Sequence, residues 1–133
     1  MRVILIALCV LYSTVAFSKT FTKDQLIKMG EENYGGHCLL CHKDDGKGAP
    51  PAFPGLVGSA VATGPVQKHI EMVLHGIPGT AMVAFAKILK DEEIASIVTY
   101  ERNKWGNDDQ KKYGKNAGGI VQPSDVAKLR KKS

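Results

Sequence analysis

Residues 38–42 read Cys-Leu-Leu-Cys-His, CLLCH, and what this stretch binds decides how the rest of the chain folds around it. A C-x-x-C core serves three chemistries: a redox dithiol, half of a zinc site, or covalent haem attachment. The choice among them rests on what else the sequence supplies.

A structural zinc site takes four protein ligands. Cys38, Cys41 and one histidine give three, and no second C-x-x-C or H-x-x-x-H completes the set. A thioredoxin-like dithiol sits in βαβ surroundings, and the chain has no convincing run of period-2 strands. Haem attachment asks for two thiols on one helical turn, with the next residue a histidine whose imidazole lies under the iron. C-x-x-C-H is that arrangement. His42 is then the proximal ligand, and its other ring nitrogen needs an acceptor to fix the tautomer. A backbone carbonyl of the Pro50-Pro51 turn is the expected acceptor.

The chain of 133 residues is sized for one domain, and its 44% hydrophobic content allows a modest core. Its first residues read as a leader. Arg2 forms a short positive region, Val3 to Leu11 is apolar, and Ala16-Phe17-Ser18 offers a cleavage site after Ser18. The alternative is an uncleaved anchor facing the periplasm, although the apolar run falls short of the roughly 20 residues of a spanning helix. Bulky Leu8 before Cys9 argues against a lipoprotein signal. Export suits the chemistry, because bacterial c-type haem is attached outside the cytoplasm. Losing the leader removes Cys9 and Arg2, leaving two cysteines and a net charge near +4 instead of the +5 of the whole chain.

Outward from CLLCH, Phe21 to Gly36 reads as a helix. Thr22 and Gln25 form a capping box, Phe21 and Leu26 sit at staple positions, and Leu26, Ile27, Gly30 and Tyr34 share a face. Gly30 on the buried side costs helix stability, which makes sense if another helix comes close there. Residues 43–64 are rich in Gly and Pro and fit no regular element, yet Phe53, Leu56 and Val57 give the loop something to pack. Such a loop wraps something. Pro65 to His75 is a second helix with Val66, Ile70, Val73 and Leu74 inward. Met82 to Leu89 reads as a brief helix. Asp91 caps a last long helix on which Ile94, Ile97, Val98 and Trp105 share a face beside Tyr100. After Gly106 the sequence is polar and ends in the basic KLRKKS, read as a surface strap with a mobile end. The expected organisation is a leader over 1–18, a haem domain over 19–107 and a strap over 108–133. The expected fold is all-α, with about four short helices around the cofactor.

The sixth iron ligand separates an open iron, which does gas or peroxide chemistry, from a closed one that carries electrons. Met29, His69, Met72, His75 and Met82 are the candidates. Met29 lies too close before the haem turn, Met72 points away from the apolar face, and His75 lies near the helix end on the far side. His69 flanks the apolar face as a core histidine or a ligand. Met82 follows Gly76-Ile-Pro-Gly-Thr-Ala81, a rigid loop free of bulky side chains, and is the preferred ligand. A thioether favours the reduced iron and a high potential.

Together these residues resemble the class I cytochromes c. Gly30, Tyr34, Cys38, Cys41 and His42 match that family's first-helix pattern G-x-x-x-Y-x-x-x-C-x-x-C-H. The resemblance implies that the first helix crosses the last one through Gly30, beside Tyr100. A closer likeness runs from about Tyr34 to Arg130. The stretches PPAFPGLVGS, TGPVQKHIEMVLHGIPGTAMVAFAKIL, IVTYERNKWGN and VQPSDVAKLR are similar to the cytochrome c domain ending subunit II of some bacterial cytochrome c oxidases. It implies one covalent haem c on Cys38 and Cys41, with His42 and Met82 as axial ligands. Three departures stand out. The chain lacks that subunit's copper-centre cysteine pair and its two membrane helices, Lys90 stands where the family has a capping residue, and residues 108–119 exceed the family's short turn.

The function these readings imply is a periplasmic monohaem carrier of single electrons, not an enzyme. It would take electrons from a quinol–cytochrome c reductase-type donor and deliver them to a terminal cytochrome oxidase. The alternative is a haem subunit or electron-entry module of an oxidase or another periplasmic oxidoreductase. A haem enzyme with an open iron is disfavoured by the single C-x-x-C-H and by Met82. Positive charge suits a partner with an acidic patch. No nucleic-acid partner is expected, and the protein is expected to be a monomer.

Overall fold

The computed structural model describes residues 19–131; the leader read over residues 1–18 lies outside them. The described residues form α1 (Lys23–His37), α2 (Leu39–His42), α3 (Val66–His75), α4 (Asp91–Asn103), α5 (Gln110–Tyr113) and α6 (Pro123–Arg130). Among them there is no strand, only an isolated bridge between Ala49 and Phe53. The all-α expectation holds: of the four helices expected, α1, α3 and α4 form, and α2, α5 and α6 are additional.

α1 starts as its sequence dictates. The Gln25 amide donates to Thr22 Oγ1 at 3.2 Å, and Gln25 Oε1 accepts from the Thr22 amide at 2.9 Å. The box satisfies two amides that a helix start otherwise leaves unpaired. Leu26, Gly30 and Tyr34 are the buried residues of this helix, four apart and therefore on one face.

α4 is the centre of the molecule. It packs against α1, α3 and α6, and every residue from Ile94 to Arg102 is buried. A helix covered on several sides shows no single apolar stripe. Asp91 was expected to cap it, but Lys90 stands at that position and Asp91 begins the helix. Glu93 compensates by accepting the Lys90 amide through Oε2 at 2.7 Å. Trp105 lies beyond the helix end, at a φ of 56°.

Two further expectations are corrected. Met82 to Leu89 is not a helix. The amides of Phe85 and Ala86 donate instead to the carbonyls of Val73 and Leu74, at 3.1 Å each, pairing groups at the end of α3. A single turn follows, in which Ile88 and Leu89 donate to the Phe85 carbonyl.

The segment after Gly106 is likewise more than a surface strap. Ala117, Val121 and Val126 are buried, the last two in the main core cluster with Leu26, Ile70, Leu74, Ile94 and Val98. Thr99 Oγ1 accepts the Val121 amide at 2.9 Å. Gln122 grips Phe21 from 101 positions away, accepting its amide at 3.0 Å and donating to its carbonyl at 2.8 Å. Arg130 donates through Nε to Asp91 Oδ1 at 2.7 Å and through Nη2 to the Leu89 carbonyl at 2.9 Å. Thus α6 closes the side of α4 that α1 and α3 leave open.

The long 108–119 segment has a structural role through Arg102. This guanidinium is fully buried and donates to the carbonyls of Gly118 (2.8 Å), Ala62 (3.1 Å), Gly64 (3.0 Å) and Asn116. It joins the Gly/Pro loop to the inserted segment. Burial lowers its affinity for its proton, and the carbonyl oxygens compensate the cation where no carboxylate is bonded.

Candidate haem site

CLLCH occupies the end of α1 and all of α2. The Cys38 amide continues α1 by donating to the Tyr34 carbonyl at 2.8 Å, and the His42 amide donates to the Cys38 carbonyl at 2.9 Å. Cys38, Cys41 and His42 therefore lie on one helical turn, and all three line one cavity. No disulfide joins Cys38 and Cys41. Burial pushes the Cys38 thiol well above the ordinary range, and the nearby negative charge of Glu101 adds to the effect.

Lys43 then turns the chain sharply, at a φ of 64°. Three aromatic rings brace this turn. Tyr34 donates to the Lys43 carbonyl at 2.6 Å, and Trp105 Nε1 donates to the Asp44 carbonyl at 2.9 Å. Tyr34, Tyr100 and Trp105 pack together with ring centres 5.3 to 5.8 Å apart. A Cβ on Gly46 would lie 2.7 Å from the Trp105 ring, so only glycine lets the loop pass beneath it. The loop then returns to His42, whose Nδ1 donates to the carbonyl of Pro54 at 2.9 Å. The acceptor is Pro54 and not the Pro50-Pro51 turn expected from sequence. That turn is a cis peptide next to the Ala49–Phe53 bridge, and the chain reaches the ring only after it. With its proton on Nδ1, His42 keeps the Nε2 lone pair for a metal.

Met82, half-buried, lines the same cavity. Three hydrogen bonds close its loop. The Ile77 amide donates to the Met82 carbonyl at 2.9 Å, Thr80 Oγ1 donates to the Ile77 carbonyl at 2.8 Å, and the Met82 amide donates to Thr80 Oγ1 at 3.2 Å. Gly76, at a φ of 63°, has no room for a Cβ, which would meet the Met82 carbonyl at 2.3 Å.

The cavity holds about 450 Å³, within the ~300–1,000 Å³ span of small-molecule sites. Val73, Phe85, Leu89 and Ile97 make much of its wall apolar. A flat apolar cofactor with two vinyl groups and a metal at its centre fits this set of two thiols, an imidazole, a thioether and hydrocarbon walls.

The other sequence candidates fall as follows. His75 is exposed at the end of α3, and Met29 is half-buried on α1. Met72 was expected to point outward, but it is half-buried and lines the cavity, which places a second thioether there. His69 is buried, its Nε2 paired with Glu101 Oε2 at 2.8 Å, and both line the cavity. Glu101 was missed in the sequence reading. Its only signal was a carboxylate next to Tyr100 on the helix face that should be apolar.

The family model described as cytochrome c oxidase, cbb3-type, subunit III, matches residues 25–100. The chain is 36% identical over 111 residues to the cytochrome c subunit of the quinone alcohol dehydrogenase of Gluconobacter oxydans, covering 76% of this chain and 22% of that protein. It is 32% identical over 125 residues to the cytochrome c subunit of gluconate 2-dehydrogenase of Pantoea cypripedii, covering 86% and 26%. It is also 32% identical over 73 residues to cytochrome c-554(548) of Halomonas halodenitrificans, covering 53% of this chain and 87% of that one. The chain thus spans about a quarter of the dehydrogenase subunits it matches and most of the small cytochrome. It belongs to the c-type cytochromes, electron-transfer proteins with covalently bound haem c, and has the class I fold.

Proposed function

We propose that this protein is a monohaem carrier of single electrons, working outside the cytoplasmic membrane between a quinol-oxidising donor and a terminal oxidase. In this reading Cys38 and Cys41 hold the haem by thioethers, and His42 and Met82 are the axial ligands. When bound, the haem iron supplies a one-electron couple. The observation that carries the reading is that Cys38, Cys41, His42 and Met82 all line one largely apolar cavity.

The chain's own residues set the rest. Pro54 fixes the plane and tautomer of His42. The bonded loop from Ile77 to Met82 limits how far the thioether can swing away. A ligand pair held this firmly costs little to reorganise when the electron moves, and it leaves no open position for substrate. Leu40, 83% exposed, and Val83, 52% exposed, flank cavity-lining residues in the sequence. They offer a partner an apolar surface close to the cofactor. No helix among the described residues is long and apolar enough to cross a membrane.

The relatives support a second reading. Two of those reported above are named as cytochrome c subunits of dehydrogenases, which favours the electron-accepting subunit of a dehydrogenase as that reading.

The test is expression with the haem-attachment machinery, acid–acetone extraction, and a spectroscopic redox titration. We expect haem to stay with the protein and one one-electron wave at high potential. Extractable haem, or rapid carbon monoxide binding by the native reduced form, would overturn the reading. Purification from the native membrane and periplasm separates the two partners: a carrier elutes alone, and a subunit elutes at fixed ratio with a dehydrogenase.

A further inference from the structure

His69 Nε2 and Glu101 Oε2 lie 2.8 Å apart, in a place where a carboxylate and an imidazole are expensive to bury. Their side chains are 3% and 5% exposed, and they line a cavity whose wall includes Val73, Leu89 and Ile97. Burying such a pair is tolerated when the remaining polar atoms are also bonded. Yet His69 Nδ1 is buried without a partner, at a cost of about 1–3 kcal/mol if nothing meets it. Among the described residues, no other charged side chain forms a salt bridge or hydrogen bond with the side chains of the pair. Arg102, the next residue, directs its donors to carbonyls. Lys68 and Glu71 of α3 are exposed. Tyr34, Tyr100 and Cys38 feel the charge of Glu101, but no hydrogen bond joins them to it.

We propose that the His69–Glu101 pair is a carboxylate-binding site for the cofactor: His69 Nδ1 donates a hydrogen bond to one haem propionate while Glu101 holds the ring at Nε2. This rests on the haem placement proposed above. The proton count follows from imidazole chemistry. With one proton on the pair, Nε2–H faces Glu101 and Nδ1 is a bare lone pair that would repel a carboxylate. A second proton makes both ring nitrogens donors and places an imidazolium between two carboxylates. Bringing Glu101 into the acid form instead, with its proton directed at Nε2, needs the same two protons. With the propionate bonded at Nδ1, the pair therefore holds two protons. Glu101 positions the ring, and His69 makes the contact.

Two measurements on the haem-loaded protein test this. In the reduced native protein labelled with 15N-histidine, His69 Nδ1 should carry a slowly exchanging proton with a nuclear Overhauser contact to a propionate methylene. An unprotonated Nδ1, or a proton with no such contact, overturns the proposal without any variant. In His69→Leu, one resonance Raman propionate-bending band should shift and the reduction potential should fall, because the uncompensated carboxylate favours ferric iron. His69→Gln, which can still donate, should return the band towards its native position. Unmoved propionate bands in His69→Leu, with the axial-ligand spectrum intact, overturn the proposal and leave the haem reading standing. Loss of covalent haem from the native protein would instead remove the haem reading itself.

Discussion

Gly30 of α1 and Ser96 of α4 touch backbone to backbone: a Cβ on Gly30 would stand 2.2 Å from the Ser96 carbonyl oxygen and 2.5 Å from Tyr100 Cβ. Neither neighbour can swing aside, since one is main chain and the other is fixed to it. Gly30→Ala must therefore push the two helices apart. We expect a loss of about 3 kcal/mol, at the upper end of overpacking effects, despite alanine's better helix propensity. Gly35, on the same helix with nothing within 4 Å of its Cβ position, is the control. There alanine should add about 0.5–1 kcal/mol. Guanidinium denaturation of both variants checks the pair.

Tyr34 gives a pH dependence with a definite sign. Burial pushes its phenol well above the ordinary value of 10.0, and the charge of Glu101 adds to this. Below pH 10 both folded and unfolded chains keep the proton, and the contribution is fully present. As pH rises past 10 the unfolded chain ionises first, so stability falls by up to about 1.4 kcal/mol per pH unit. Burial also raises Tyr100, which adds to the same loss. Tyr34→Phe should lose about 1 kcal/mol at neutral pH through its bond to Lys43 and decline less steeply above pH 10. Denaturation midpoints from pH 7 to 11 measure both; equal slopes would contradict the assignment.

Arg102→Lys separates stability from redox function. Arg102→Leu leaves the carbonyls of Ala62, Gly64 and Gly118 without their donor, and should cost about 3 kcal/mol or more. Arg102→Lys keeps the charge but cannot span the same acceptors, and should fall between. Because Arg102 does not line the cavity, Arg102→Lys, which keeps the buried charge, should hold the reduction potential near native, while Arg102→Leu should lower it through the lost cation.

The cavity itself predicts dependence on the cofactor. Without the cofactor, Val73, Phe85, Leu89 and Ile97 would face water across a cavity of about 450 Å³; at about 1.5–3 kcal/mol for each large apolar side chain left exposed, the loss is comparable with the whole stability of a small domain. The double variant Cys38→Ala/Cys41→Ala, made without haem, should keep much of its helix signal and lose cooperative melting. A sharp melt near that of the haem protein would show that the core stands without it.

What the sequence disclosed follows from how local each signal is. CLLCH, the Thr22–Gln25 box, Gly30 and the loop before Met82 act over a few residues, and their spacing alone carried them. The acceptor for His42 depends on the path of the Gly/Pro loop, so Pro54 could not be separated from Pro50-Pro51. Residues 82–89 have helical character, but their amides serve the end of α3, a tertiary contact that local propensity does not contain. α6 escaped notice because Val126 is its only buried residue, too little for a periodic signal. Glu101 was overlooked because a carboxylate on a buried face has meaning only once His69 stands opposite.

The central claim is that the iron is closed by His42 and Met82. The oxidised native protein should show the weak long-wavelength iron–sulfur charge-transfer band. Met82→Ala should lose it and bind carbon monoxide rapidly when reduced, while Met72→Leu, which removes the other thioether in the cavity, should keep it. Absence of the band from the native protein, its survival in Met82→Ala, or its loss in Met72→Leu would contradict the account.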